Sequence, residues 1–108
     1  MNKHTLAALK GSILKWKKIV AGTSFDSGGS NCPLCLLFAQ RQLSCSGCPV
    51  YEKTGEAECR DTPYKRWQSA GGYYRTANTA ALKAAARAEL RFLQSLLPKP
   101  KPKKRRTA

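Results

Sequence analysis

The sequence predicts a small α-rich, metal-stabilised domain: two amphipathic helices packed on a cysteine-rich module, followed by a disordered basic tail. Three observations predict it. Apolar residues recur at three- and four-residue intervals near both ends of the chain, five cysteines crowd its middle, and 20 Lys and Arg stand against 6 Asp and Glu, a formal charge of +14 over 108 residues. That length holds one hydrophobic core. Residues 1–97 therefore read as a single domain with its cysteine module at 32–67, and residues 98–108 as a Pro/Lys tail. Apolar runs fall far short of the roughly 20 residues that a membrane span requires, and Lys10, Lys15, Lys17 and Lys18 break up the only segment resembling a secretory core. The chain is expected in a reducing cytoplasm, or in a nucleus if its source is eukaryotic, with no membrane partner.

In the first helix, placed at about residues 5–21, Leu6, Leu9, Ile13, Trp16 and Val20 fall on one stripe. Gly22 suits a left-handed cap, and Lys15, Lys17 and Lys18 lie in the last turns, where positive charge meets the negative end of the helix dipole. Gly11 weakens the middle modestly. Residues 23–31, with three serines and the pair Gly28-Gly29, read as a flexible connector. A short helix is expected at 34–42, with turns at Ser46-Gly47 and Thr54-Gly55. Asp61-Thr62-Pro63 opens another helix, capped by Thr62 with Pro63 at its first position, where the missing N–H does no harm; it runs to about residue 70 and breaks at Gly71-Gly72. The last helix, about 78–97, is capped by Thr76, Asn78 or Thr79 and stopped by Pro98. Its stripe is Leu82, Ala86, Leu90, Leu93 and Leu97. The two long helices are expected to pack antiparallel against the cysteine module. Past Pro98, alternating Lys and Pro followed by Lys103, Lys104, Arg105 and Arg106 builds neither helix nor core.

The cysteine spacing is Cys32-x2-Cys35-x9-Cys45-x2-Cys48-x10-Cys59. Each C-x2-C pair presents two thiolates from one tight turn; Pro33 stiffens the first and Gly47 lets the second take a positive φ. Cys32, Cys35, Cys45 and Cys48 are the expected ligands of one structural Zn2+, with Cys59 as an alternative ligand or a spare buried thiol. Four thiolates equally satisfy an iron-sulfur cluster, and buried free thiols pack as small hydrophobes. An odd cysteine count in a reducing compartment argues against a disulfide framework. A thioredoxin-type dithiol is poorly served, because no βαβ pattern surrounds either pair. His4 reads as a surface residue. With one histidine, acids at Glu52, Glu56, Glu58 and Asp61 in a turn-rich stretch, and no phosphate-binding glycine loop before a helix, the chain is read as non-enzymatic, with no small-molecule substrate.

The charge is not confined to the tail: setting aside its six basic residues still leaves +8. Lys83, Arg87 and Arg91 form a stripe at i, i+4, i+8 on the last helix, and Lys3, Lys10 and Lys17 a comparable line on the first. Like charges at that spacing oppose folding, so such stripes point to a polyanionic partner, although solvated basic faces are common. Nucleic acid, DNA or RNA, fits best, because Lys and Arg displace counterions from phosphates. Tyr64-Lys65-Arg66-Trp67 and Tyr73-Tyr74-Arg75 interleave aromatics with cations, as a base-stacking surface would, yet Tyr64 and Trp67 at i, i+3 equally cover the core. The tail reads as a phosphate-binding arm, an import signal or a solubilising end.

Asn31-Cys32-Pro33-Leu34-Cys35, Cys45-Ser46-Gly47-Cys48-Pro49-Val50, Lys53-Thr54-Gly55 and Cys59-x2-Thr62-Pro63-Tyr64, with Ser12-Ile13-Leu14-Lys15-Trp16 and Ile19-Val20 upstream, resemble an uncharacterised family of small cysteine-rich proteins from bacteriophages and bacteria. The resemblance covers about residues 12–67 and implies a shared cysteine module and origin, without an activity. Three functions stay open: a zinc-binding basic protein that binds nucleic acid or a nucleic-acid-containing assembly; a phage-encoded interaction module that modulates or inhibits a host enzyme; and an iron-sulfur or thiol redox protein.

Overall fold

The structure is a computed structural model and describes residues 2–27, 31–41, 48–55, 62–72 and 75–98, the side chains of 39–41 excepted. The described residues form α1 (Lys3–Val20), α2 (Pro33–Cys35) running straight into a π-helical segment (Leu36–Arg41), α3 (Pro49–Thr54), α4 (Pro63–Ser69) and α5 (Ala80–Ser95). No strand occurs among them, and no described helix is long and apolar enough to cross a membrane. The tail, including Lys103, Lys104, Arg105 and Arg106, lies outside the described residues, as do Cys45, Cys59, Tyr73 and Tyr74.

The punctuation of the chain explains the elements. Asn2 caps α1, its Oδ1 accepting from Thr5 N at 2.8 Å, so the helix opens two residues before the expected start. Gly22 ends it with φ at 79°, a left-handed conformation that glycine adopts without a Cβ penalty. Thr62 caps α4 and Thr79 caps α5, their hydroxyls accepting from Tyr64 N and Leu82 N. The helix α3 is an addition to the sequence reading. Pro49 supplies its first position, and Gly55, expected only to mark a turn, is its left-handed C-cap at φ 72°.

Packing is arranged around α5, which lies against both α1 and α4, while α2 lies against α1. Leu9, Ile13, Trp16 and Ile19 from α1 meet Leu82, Ala85, Ala86 and Leu93 from α5, with Leu34, Phe38, Cys48, Val50, Trp67 and Ala77 completing the buried apolar set. Val20, Leu90 and Leu97 pack half-buried at its rim, and Leu6 is half-buried near the start of α1. The alanines of α5 let helices approach closely, and two glycines do the same elsewhere. A Cβ at Gly11 would stand 3.0 Å from Pro33 Cγ, which is why α2 can seat on the middle of α1. A Cβ at Gly72 would overlap the ring of Trp67, so the chain leaving α4 folds flat across that indole.

Candidate functional site

Two features carry chemistry: a polar cluster inside the helical core and, among the described residues, an exterior on which cations far outnumber acids. The cluster begins with the connector after α1. Asn31 pins its ends, accepting from Ser27 N at 3.0 Å and donating to Phe25 O at 2.9 Å, and Asp26 N donates to Arg75 O at 3.1 Å. The described parts of this connector are thus hydrogen-bonded in place, where the serines and glycines predicted a flexible loop. The result turns the Asp26 carboxylate inward. Its Oδ1 accepts from Lys15 Nζ at 2.8 Å, and its Oδ2 accepts from Tyr64 Oη at 2.8 Å and from Trp67 Nε1 at 3.0 Å.

Lys15 is therefore a core residue, with its side chain 7% exposed and that of Asp26 0%. This corrects its placement among the dipole-facing lysines of the last turns: Lys17 and Lys18 stand in solvent, while Lys15 points to the apolar side of the helix. Burying two charges is costly unless each is paired and its remaining hydrogen-bonding capacity is met. Here both carboxylate oxygens are engaged, and Lys15 Nζ also lies 5.3 Å from the centroid of the Trp16 ring. Trp16 in turn meets Trp67 edge-on at 5.2 Å and Tyr64 edge-on at 5.9 Å, an arrangement that suits aromatic quadrupoles. Tyr64 and Trp67 thus belong to this clamp, which joins α1, the connector and α4; Trp67 is 0% exposed.

Glu89 faces the same interior from α5. Its carboxyl is pushed up to about 8, first by burial and then by the neighbouring Cys32, with Asp26 adding to the effect and Lys15 opposing it. An acid whose folded value is raised binds more protons folded than unfolded, so its contribution is fully present below pH 4.5 and is lost as pH rises toward 8. Glu89→Gln, a neutral isostere, should flatten the fall in melting temperature between pH 4.5 and 8. A variant profile as steep as the wild type's would show that other groups set it.

The first cysteine pair lies beside this cluster. Cys32 caps α2 and Cys35 ends it; their thiols hydrogen-bond to each other, and that contact, reinforced by burial, pushes the Cys32 thiol well above the ordinary range. Ser12 of α1 fixes the turn: its Oγ lies 3.6 Å from Cys32 Sγ and accepts from Leu34 N at 3.3 Å. Cys48 is buried at the start of α3. Among the described residues no three His, Cys, Asp or Glu side chains converge as a metal group, so Cys32, Cys35 and Cys48 do not form one by themselves. Cys45 and Cys59, the remaining expected ligands, lie outside the described residues. His4 is exposed on α1.

On the outside, Lys10 and Lys17 on α1, Lys65 and Arg66 on α4, Arg75, and Lys83, Arg87 and Arg91 on α5 are all exposed. Lys3, Lys18 and Lys53 bring the exposed basic residues among those described to 11, against one exposed acid, Glu52. The other two described acids, Asp26 and Glu89, are the buried ones. Among the described residues, two of the three acids are thus turned inward. Sequence periodicity located the cations but missed the buried triad of Lys15, Asp26 and Glu89, although Lys15 precedes Ile19 by four residues and Glu89 precedes Leu93 by four. No family model matches the chain, and comparison with curated proteins and with solved structures finds no match.

Proposed function

We propose that this protein is a non-enzymatic, zinc-binding basic protein that binds nucleic acid, or an assembly containing it, through its helical exterior and tail. The observation that carries the reading is the surface asymmetry: 11 exposed cations against Glu52 among the described residues, with Asp26 and Glu89 turned inward. The ionisable groups that do converge are occupied in holding the fold, since both oxygens of Asp26 accept hydrogen bonds from core donors. A cationic exterior of this kind releases condensed counterions from phosphates, which makes binding strong at low salt and indifferent to sequence. Electrophoretic mobility of random-sequence DNA and RNA over a salt series tests it. Retardation that weakens steeply with salt is expected, and absence of retardation even at low salt would overturn it.

The zinc is part of the same proposal. Cys32 and Cys35 sit thiol to thiol, which suits half of a tetrahedral thiolate site, the other half drawn from Cys45, Cys48 and Cys59. When bound, such an ion cross-links the turns and adds folding energy, since it must displace protons from thiols that only the folded chain brings together. Elemental analysis of purified protein should find one zinc per chain, and chelation or Cys35→Ser should lower the melting temperature markedly, because small cores rest on such staples. Metal-free protein with the melting curve of the untreated one would remove zinc from the account.

A second reading is a module that docks on a host protein. Leu14, 51% exposed, stands on the outer face of α1 with Lys10, Lys17 and Lys18 one helical turn away, an apolar contact ringed by cations that suits an acidic rim. Retention of a single stoichiometric partner after nuclease treatment would favour this reading, and loss of all partners would favour nucleic acid.

A further inference from the structure

Resting on the nucleic-acid reading, we infer that α5 is the element that engages the polyanion, and that its target is the phosphate backbone of a duplex rather than unpaired bases. The buried face of α5 carries Leu82, Ala85, Ala86, Glu89 and Leu93. Lys83, Arg87 and Arg91 project from the opposite face and are exposed. Successive cations are one helical turn apart, so the row spans about 12 Å at 1.5 Å per residue. With one phosphate per 3.4 Å of axis on each strand, that length covers about three to four phosphates.

Two features of the helix keep the row available. Its only acid, Glu89, is on the core side, and among the described residues no carboxylate pairs with the row. Beside it on the outer face stand small residues, Ala80 exposed and Ala84 half-buried, which leave the longer cationic side chains prominent. The line on α1 differs. Lys3, Lys10 and Lys17 are seven residues apart, about 10.5 Å by the same rise, and the exposed Leu14 stands between the last two.

Duplex is favoured because, among the described residues, the aromatic side chains of the Tyr64-Lys65-Arg66-Trp67 segment, with Trp16, are engaged in the core rather than offered to bases; Tyr73 and Tyr74 lie outside the described residues. Trp16 and Trp67 are buried, and the Tyr64 hydroxyl donates to Asp26. Phe25 is the one large aromatic that stands exposed among the described residues, and a single ring makes no platform for successive bases. A row of cations at fixed spacing reads backbone geometry and carries no base information, so recognition is sequence-independent.

The test uses the full-length chain, a random-sequence duplex of 20 base pairs and the corresponding 20-nucleotide single strand, with fluorescence anisotropy across a salt series. Lys83→Gln/Arg87→Gln/Arg91→Gln is compared with Lys3→Gln/Lys10→Gln/Lys17→Gln, each checked for unchanged helicity by circular dichroism. The α5 variant should lose about 2.7 from the slope of log affinity against log salt for the duplex, so that quadrupling the salt costs it about 40-fold less affinity than it costs the wild type. The α1 variant should lose distinctly less, and the wild type should bind duplex more tightly than single strand. Equal slope losses in the two variants, an unchanged slope in the α5 variant, or tighter binding of the single strand would overturn the assignment to α5 and duplex while leaving the broader function standing. Failure of the wild type to bind either probe would overturn the broader function itself.

Discussion

Asp26→Ala unfolds or severely destabilises this protein, with an expected loss of about 3 to 5 kcal/mol, the range for removing one partner of a buried ion pair. The substitution takes from the Lys15 ammonium, 7% exposed, the carboxylate it pairs with at 2.8 Å, and removes the acceptor of the Tyr64 hydroxyl and the Trp67 indole N–H. Since total stability of a domain is typically about 5 to 15 kcal/mol, such a loss removes much of it. Asp26→Asn separates the contributions: it keeps an acceptor for one or both ring donors but removes the charge, and should fall between wild type and Asp26→Ala. Lys15→Met probes the other partner, leaving Asp26 with its two aromatic donors. In denaturant melts, an Asp26→Ala protein within about 1 kcal/mol of wild type would show that the clamp contributes no more than an ordinary hydrogen bond.

The clamp also explains how so basic a chain folds. A charge of +14 on 108 residues opposes compaction through self-repulsion. The structure places Asp26 where a single carboxylate neutralises the one described lysine that enters the core and ties together α1, the connector and α4. The other 11 basic residues whose side chains are described remain outside, where water and salt screen them.

Much of the helical framework is written in local signals. The stripe of Leu9, Ile13 and Trp16, the cap-and-proline start at Thr62-Pro63, and the Thr79 cap with its alanine-rich helix all lie where three- and four-residue spacing and capping chemistry place them. The α3 helix escaped because six residues are too few for a period to show, and its start at Cys48-Pro49 coincides with the second C-x2-C pair, whose spacing signals a turn. The buried ionisable groups escaped for a different reason. Lys15 and Glu89 sit on the apolar sides of their helices, but periodicity treats a charged residue as a gap in the stripe, and only a tertiary partner makes its burial affordable. Asp26 offered one clue, being the only acid before Glu52 in a strongly basic half of the chain. Glycine likewise showed its local meaning and hid its tertiary one: Gly22 reads as a cap, whereas Gly11 and Gly72 matter for the Pro33 and Trp67 rings that lie against them.

Quadrupling the salt from 50 to 200 mM should weaken binding of the full chain to a random duplex by at least about 10³-fold, the loss expected when six or more phosphates are contacted. The prediction follows from charge alone. With 11 exposed cations among the described residues against Glu52, a footprint of six phosphates engages about half of the available positive groups. Binding energy then comes from counterion release, so affinity should depend little on base sequence and strongly on ionic strength. Protein docking through Leu14 and its surrounding lysines instead predicts no binding to a bare duplex, whatever the salt, because its partner is a protein surface.

The most direct test of this account is therefore the affinity of the intact protein for one random-sequence duplex, measured from 50 to 200 mM salt. A straight log–log line with a slope of about −5 or steeper, reproduced on a second unrelated sequence, is the predicted result. A flat line, or no binding at 50 mM, would contradict the claim that the exposed charge of these helices serves to hold nucleic acid.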